Sequence, residues 1–211
     1  MASPLQQTAQ WFQSRIGCLT ASQAYDVLAR SKSNGKPLKG YYDLMDKIIA
    51  ERLTNEAIGV PMTAAMQWGV DHEDEARERY EAETGQFVEL VGFIPHPEIK
   101  YFGASPDALV GKDGLLEIKC PTTTTHIRRM KAAVVPDEYR AQMLVQLLCT
   151  GRKWVDYVDY DPRLKGDFER LQFWSIRFEP TLEELNDAKE KCLEFLRNVD
   201  EELTNLIGEQ S

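Results

Sequence analysis

The chain has 211 residues, enough for one domain with a sizeable core. Its 43% hydrophobic and 28% charged content is that of a globular protein, and no apolar run approaches the roughly 20 residues of a membrane span. A formal net charge of −9 argues against a simple basic nucleic-acid binder.

The charge is unevenly spread. Residues 61–119 carry 12 acidic and 5 basic side chains, and residues 179–211 carry 10 and 3. Nucleic acid is then expected only where basic groups are focused in a cleft or channel. Arg15, Lys32, Lys36, Lys39, Arg128, Arg129 and Lys131 are the candidates, against a scattered solvated surface. Cys18, Cys120, Cys149 and Cys192 form no C-x-x-C pair, and free thiols in a reducing cytoplasm are expected. The segment from Met1 to Gln7 lacks a basic stretch followed by an apolar one, so no signal peptide is expected.

In chain order, Gln6 to Arg15 reads as a short helix. Thr20, Ala21, Ser22 and Gln23 have capping-box spacing and open a second helix to about Arg30. Ser31 to Gly40 is polar, with glycine and proline, and reads as a mobile basic loop. Leu44, Ile48, Ile49 and Leu53 give helical periodicity from Tyr41 to Thr54. After a break at Gly59, Val60 and Pro61, a long helix is predicted from Ala64 to Thr84, stopped by Gly85. Strands follow at Phe87–Ile94, Lys100–Ser105 and Leu115–Cys120. Pro136 starts a helix to about Cys149, strands follow at Trp154–Tyr160 and Leu171–Phe178, and a last helix spans 181–207. This order predicts an α/β (α+β) fold, a mixed central sheet flanked by helices, in a single domain over residues 1–211.

The most informative stretch is Ser105, Pro106 and Asp107, then nine residues, then Glu117, Ile118 and Lys119. A turn at Gly111 to Gly114 predicts a hairpin that brings Asp107 near Glu117. Glu117 and Lys119, two apart on a strand, share a face, and Ile118 points to the core with its carbonyl free to bind a cation. Carboxylate oxygens suit Mg²⁺, which keeps open positions for substrate phosphates. A neighbouring lysine can orient or deprotonate a water. This is the equipment for hydrolysing a phosphodiester, although the pattern alone also fits an incidental surface hairpin.

Three further motifs carry chemistry. Glu73 lies on the long helix and is either another metal carboxylate or one of that helix's solvated acids. Gln142, with Gln146 one turn on, either holds a substrate or water beside a metal or lies on the surface. Arg15, Thr20 and Ser22 sit at a helix start, where unpaired N–H groups and the helix dipole favour anions. An arginine fork there makes a phosphate pocket, the alternative being an N-cap plus a surface arginine.

Together these blocks resemble the family of the phage lambda exonuclease, the YqaJ-type viral recombinase nucleases. The resemblance runs through Trp11, Arg15, Gly17, Thr20, Ala21 and Ser22; Trp68, Gly69 and Glu73; Ser105 to Asp107; Glu117 to Pro121; Tyr139 and Gln142; and Tyr160 to Arg163. Where the lambda enzyme has a second glutamine two positions after the one matched by Gln142, this chain has Leu144, and its next glutamine is Gln146. The resemblance implies a PD-(D/E)xK nuclease core and Mg²⁺-dependent 5′→3′ digestion of one strand of linear duplex DNA. It implies two Mg²⁺ per site, with Mn²⁺ able to substitute, and a homotrimeric ring threaded by DNA. A single-strand annealing protein is the implied partner, and the cytoplasm of a bacterial host the implied place of action, with the gene carried by a phage or prophage.

On that basis Asp107, Glu117 and the Ile118 carbonyl would bind one ion and Glu73 would help hold a second. Lys119 and Gln142 complete the catalytic set. Arg15, Thr20, Ser22 and Ser105 would hold the terminal 5′-phosphate. Met62 or Met66 would either wedge between the last base pairs or lie in the core. Arg163 would contact either backbone phosphate or a neighbouring subunit. A site-specific endonuclease of the same fold and a catalytically inactive DNA-binding module are the competing functions.

Overall fold

The structure, a computed structural model, describes residues 6–59 and 61–208. Residues 1–5 of the segment from Met1 to Gln7, and Val60 of the predicted break, lie outside the described residues. Thr8 caps the first helix, α1 (Ala9–Gln13), by accepting the Trp11 N–H at 3.2 Å. The chain then turns at Gly17, whose φ of +68° suits a residue without Cβ, into a two-residue strand, β1 (Leu19–Thr20). The predicted helix from Thr20 is a 3-10 turn, Ala21–Gln23, followed by α2 (Ala24–Leu28). Gln23 Oε1 accepts the Thr20 N–H at 3.0 Å, one arm of the expected capping box. Next comes α3 (Lys39–Thr54), which buries Leu44, Ile48 and Ile49 as their spacing predicts. Then α4 (Ala64–Thr84) runs from a Thr63 cap to Gly85 in the left-handed conformation, with the predicted bounds.

The predicted strand Phe87–Ile94 is two short strands, β2 (Val88–Glu89) and β3 (Ile94–Pro95), in different sheets. After β4 (Phe102–Ala104), β5 (Ala108–Val110) and β6 (Gly114–Lys119) come two helices, α5 (Thr123–Ala132) and α6 (Asp137–Thr150). The chain ends with β7 (Trp154–Tyr160), a 3-10 turn at Gly166–Leu171, β8 (Phe173–Phe178) and α7 (Leu182–Gly208). The α5 helix has no counterpart in the sequence reading. Its run of threonines has poor helix propensity, and its one buried side chain is His126, not an apolar residue.

Two mixed sheets organise these elements. A five-stranded sheet has the order β2-β5-β6-β7-β8, with β6 and β7 parallel and the other pairs antiparallel. A small sheet, β1-β4-β3, pairs β1 parallel to β4. The predicted hairpin is therefore corrected in one respect. β6 folds back on Ala108–Val110, a strand the sequence reading missed, while Phe102–Ala104 belongs to the other sheet. The turn and its consequence stand, since the Asp107 N–H donates to the Leu116 carbonyl at 3.1 Å.

Helices cover both faces of the larger sheet. Ala76 and Tyr80 of α4 pack on Val110, Leu116, Ile118, Val158 and Tyr160. Met143 and Leu147 of α6 pack on Leu115, Val155 and Tyr157 of the opposite face. A third core joins α2, α3, α6, α7 and the small sheet through Val27, Ile48, Val145, Phe195 and Phe102. Strand alternation then assigns Leu115, Glu117 and Lys119 to the α6 face of β6 and Leu116 and Ile118 to the α4 face. Among the described residues, no helix is long and apolar enough to cross a membrane.

Candidate active site

Glu117 lies mid-strand in β6, flanked by β5 and β7, and is completely buried. A carboxylate there must be paired, and it is. Gln142 Nε2 donates to its Oε1 at 2.6 Å and Gln146 Nε2 to its Oε2 at 2.5 Å. The Lys119 ammonium pairs with Oε1. The two glutamines are one helical turn apart on α6, so both reach the same face of β6. Where the sequence left their roles open, the geometry gives them one carboxylate to share.

Asp107 stands just before β5, and its Oδ2 accepts the Ile118 N–H at 2.6 Å. Burial, with Glu117 and then Glu73 adding repulsion, holds its carboxyl well above the ordinary range, opposed by Lys119 and that N–H. Glu73, on α4, is raised for the same first reason, burial, with Lys119 opposing the shift and Glu117 adding to it. Burial works against the Lys119 ammonium, but Glu117 and Asp107 outweigh it and hold its pKa above the usual value. An ammonium so held can donate to a water beside Glu117. The excess of carboxylates over cations is what a hard, oxygen-seeking metal ion would relieve. Among the described residues, no group of three or more His, Cys, Asp or Glu is placed to hold an ion. A metal here must rely on backbone carbonyl, water and substrate oxygens besides one or two carboxylates, the usual arrangement for Mg²⁺.

Behind Lys119 lies a network that sequence reasoning did not find. The ammonium sits 5.1 Å from the Tyr139 ring centroid. The Tyr139 hydroxyl accepts from Arg129 at 3.1 Å, and Arg129 reaches Asp159 at 2.8 Å. Asp159 is also 2.5 Å from Nδ1 of the fully buried His126, whose Nε2 lies 2.7 Å from the Leu171 carbonyl. Both ring nitrogens face acceptors, an arrangement that favours the protonated imidazole. Arg129, one of the basic candidates for a nucleic-acid cleft, is here an internal strut. Its partners come from two elements distant from each other in sequence, α6 and β7, so no local pattern announces it.

Arg15 defines a second cluster. It stacks on Trp11, 4.0 Å from the ring centroid, and reaches Thr20 Oγ1 and Ser22 Oγ at 3.4 Å each. Among the described residues it has no ion-pair partner, and burial lowers its pKa. Trp11 Nε1 donates to Ser105 Oγ at 3.0 Å. The predicted Arg15, Thr20, Ser22 and Ser105 therefore meet around Trp11, with Ser105 two residues from Asp107. The parallel pairing of Leu19 with Phe102 and Thr20 with Gly103 produces this meeting. Gly17 sets the turn, its N–H donating to Glu51 Oε2 at 3.0 Å and its carbonyl accepting from Arg52 at 2.9 Å. No motif pointed to those α3 partners.

Other predicted residues lie outside these clusters. Met62 and Met66 are exposed by 54% and 46%, which removes the core-burial alternative. Arg163 is engaged within the chain. It pairs with Asp161 at 2.6 Å, donates to the Pro121 carbonyl and stacks 4.5 Å from the Trp68 ring centroid. Trp68 in turn stacks on His72 at 3.8 Å. This stack fastens the start of α4 to the segment after β6.

A mixed sheet between helices, with Asp, Glu and Lys on a hairpin and glutamines facing them from a helix, defines a nuclease-type architecture. A family model described as the YqaJ-like viral recombinase domain matches residues 10–153, and the chain belongs to that family. Among solved structures, the chain is similar to an alkaline exonuclease from Laribacter hongkongensis at 39% identity and a TM-score of 0.86. The match covers 96% of this chain and 98% of that one. The same values hold for that exonuclease in complex with dAMP. A phage-related exonuclease from Haemophilus somnus 129PT shares the fold at 14% identity and a TM-score of 0.66, covering 92% of this chain and 96% of that one. No curated protein matches. The chain is thereby placed with the nucleases of phage-type recombination.

Proposed function

We propose that this protein is a Mg²⁺-dependent 5′→3′ exonuclease. It would digest one strand of linear duplex DNA from 5′-phosphorylated ends and leave single strands for annealing. The observation that carries the reading is the junction of two clusters. The carboxylate and lysine site at Asp107, Glu117 and Lys119 is bridged, through Ser105 and Trp11, to an arginine with no ion-pair partner among the described residues. A cationic pocket a fixed distance from the cutting site sets where the chain is cut relative to a terminal phosphate.

Asp107, Glu117 and the Ile118 carbonyl would hold one Mg²⁺, and Glu73 would share a second with Asp107; Mn²⁺ has the same ligand preferences. When bound, the metal would neutralise the scissile phosphate and lower the pKa of a water. Lys119 would orient that water and donate to the charge that develops, with Gln142 steadying Glu117 beside it. Arg15, Thr20, Ser22 and Ser105 would bind the 5′-phosphate. Met62 or Met66, both exposed, would supply an apolar wedge between the last base pairs. Arg163 is assigned a supporting role through Asp161 and Trp68, with its exposed edge available to a backbone phosphate.

The proposed assembly is a homotrimeric ring around the DNA, acting with a single-strand annealing protein in the host cytoplasm. Enclosing the substrate would give processivity to a chain whose net charge is −9. The test is release of nucleotides with Mg²⁺ from linear duplex carrying 5′-phosphate or 5′-hydroxyl, beside a covalently closed circle. Phosphorylated linear DNA should be digested fastest and the circle left intact. A cut circle would replace this reading with an endonuclease, and no release from any substrate with an inactive binding module.

A further inference from the structure

Glu117 is held from two sides that differ in depth. Gln146, at 2.5 Å from Oε2, is fully buried. Gln142 and Lys119, both on Oε1, are partly exposed. Oε1 is therefore the open side of the carboxylate, where partners can yield to an incoming ligand, and Oε2 is the closed side. Gln146 cannot turn over, because a carboxylate only accepts and the amide must present its NH₂ end. Its own carbonyl oxygen is left buried without a donor. Burying an acceptor unpaired is unfavourable, so the contact to Oε2 is kept at the expense of local stability. Nor can Gln146 withdraw, since its neighbours Met143 and Leu147 anchor α6 in the core against β6 and β7.

We propose that Gln146 is a positioning residue that makes Glu117 a one-oxygen ligand and thereby biases the site towards Mg²⁺ over Ca²⁺. This rests on the metal-dependent reading above. Mg²⁺ requires near-octahedral geometry at about 2.0–2.1 Å and takes single oxygens, whereas Ca²⁺ accommodates six to eight oxygens at about 2.3–2.6 Å and readily takes both oxygens of a carboxylate. With one lone pair of Oε2 taken by a buried N–H, the carboxylate is a poorer two-oxygen ligand for a single ion than a free one. Gln142 caps only the open oxygen and lacks this effect.

The test is calorimetric binding of Mg²⁺ and of Ca²⁺ to the full chain without DNA, for the wild type, Gln146→Met and Gln142→Met. Methionine keeps the length of glutamine without the donor. In Gln146→Met the ratio of Ca²⁺ to Mg²⁺ affinity should rise about tenfold, a shift of about 1.4 kcal/mol, and in Gln142→Met it should stay near the wild-type value. An unchanged ratio in a folded Gln146→Met, or an equal rise in both variants, overturns the proposal while leaving the nuclease reading intact. Gln146→Leu replaces Gln146→Met if the latter fails to fold. If neither folds, Gln146 is a structural residue and the proposal fails. If the wild type binds neither ion, the metal-dependent reading itself fails and takes this inference with it.

Discussion

The Glu117 site and the Arg15 pocket are built to different tolerances. Around Glu117 the glutamine contacts are 2.5 and 2.6 Å, made from a six-residue strand and a 14-residue helix packed against each other. Around Arg15 they are 3.4 Å, made from a turn, a two-residue strand and a 3-10 turn. Hydrogen bonds weaken as they lengthen. The Glu117 carboxylate is thus already held at both oxygens, whereas the second cluster leaves a guanidinium with only weak acceptors. Chemistry needs groups fixed before substrate arrives. A terminal phosphate can draw the looser groups onto itself, exchanging two long contacts for charge-assisted ones.

The largest effect should come from breaking the tight site. Asp107→Ala or Glu117→Ala removes a carboxylate ligand, and loss of several kcal/mol of metal assistance lowers cutting of linear duplex by roughly a thousandfold or more. Near wild-type digestion by either variant would remove that residue from the site. Lys119→Ala should come next, at roughly a hundredfold to ten-thousandfold in rate. Duplex ends and Mg²⁺ should still bind, because both carboxylates remain, and added Mg²⁺ should not restore the rate. Restoration would show that Lys119 only supports the ligands.

The loose pocket predicts a smaller, substrate-dependent effect. A charge-assisted contact is worth about 1.5–3 kcal/mol, or roughly tenfold to a hundredfold. The wild type should prefer 5′-phosphorylated over 5′-hydroxyl ends by that factor, and Arg15→Ala should lose most of the preference. Four initial rates, two proteins on two ends, decide it. An unchanged preference would break the comparison, since the pocket would then not be an anion site.

The smallest expected effect probes the frame behind the tight site. Burial opposes charge on His126, but Asp159 and the Leu171 carbonyl outweigh it and hold the imidazole above its ordinary pKa. A group raised in the folded state contributes stability that is complete below its unfolded pKa of about 6.5 and is lost as pH rises through the folded value. Melting temperature should therefore fall by a few degrees as pH rises from about 6.5 through that folded value. In His126→Gln the fall should be absent; if the slope persists, another group titrates there.

Much of the chemistry was legible from residue types and short spacings. Asp107, Glu117 and Lys119 share a hairpin, and a two-residue period and a glycine-bounded turn suffice to bring them together. Asp107 was assigned to the wrong neighbouring strand, because the three residues Ala108–Val110 are too short for alternation to register. The bounds of α4 and β7 were readable for the opposite reason, being long elements with clear caps or apolar runs. The α5 helix was not, since its packing rests on the charged pair of His126 and Asp159.

Local sequence by itself determined the residue types at hand: which side chains are acidic, which are basic, and which strand and helix faces carry them. Only the tertiary structure decided who meets whom. It turned Gln142 and Gln146 onto one carboxylate, drew Arg129 inward to Asp159 and Tyr139, and used Trp11 to join Arg15 to Ser105, which lies 94 residues along the chain from Trp11. The physical reason is reach. Periodicity and turn chemistry act over a few residues, whereas burying a charge requires a partner in space, and that partner is supplied by whichever element the packed core places there.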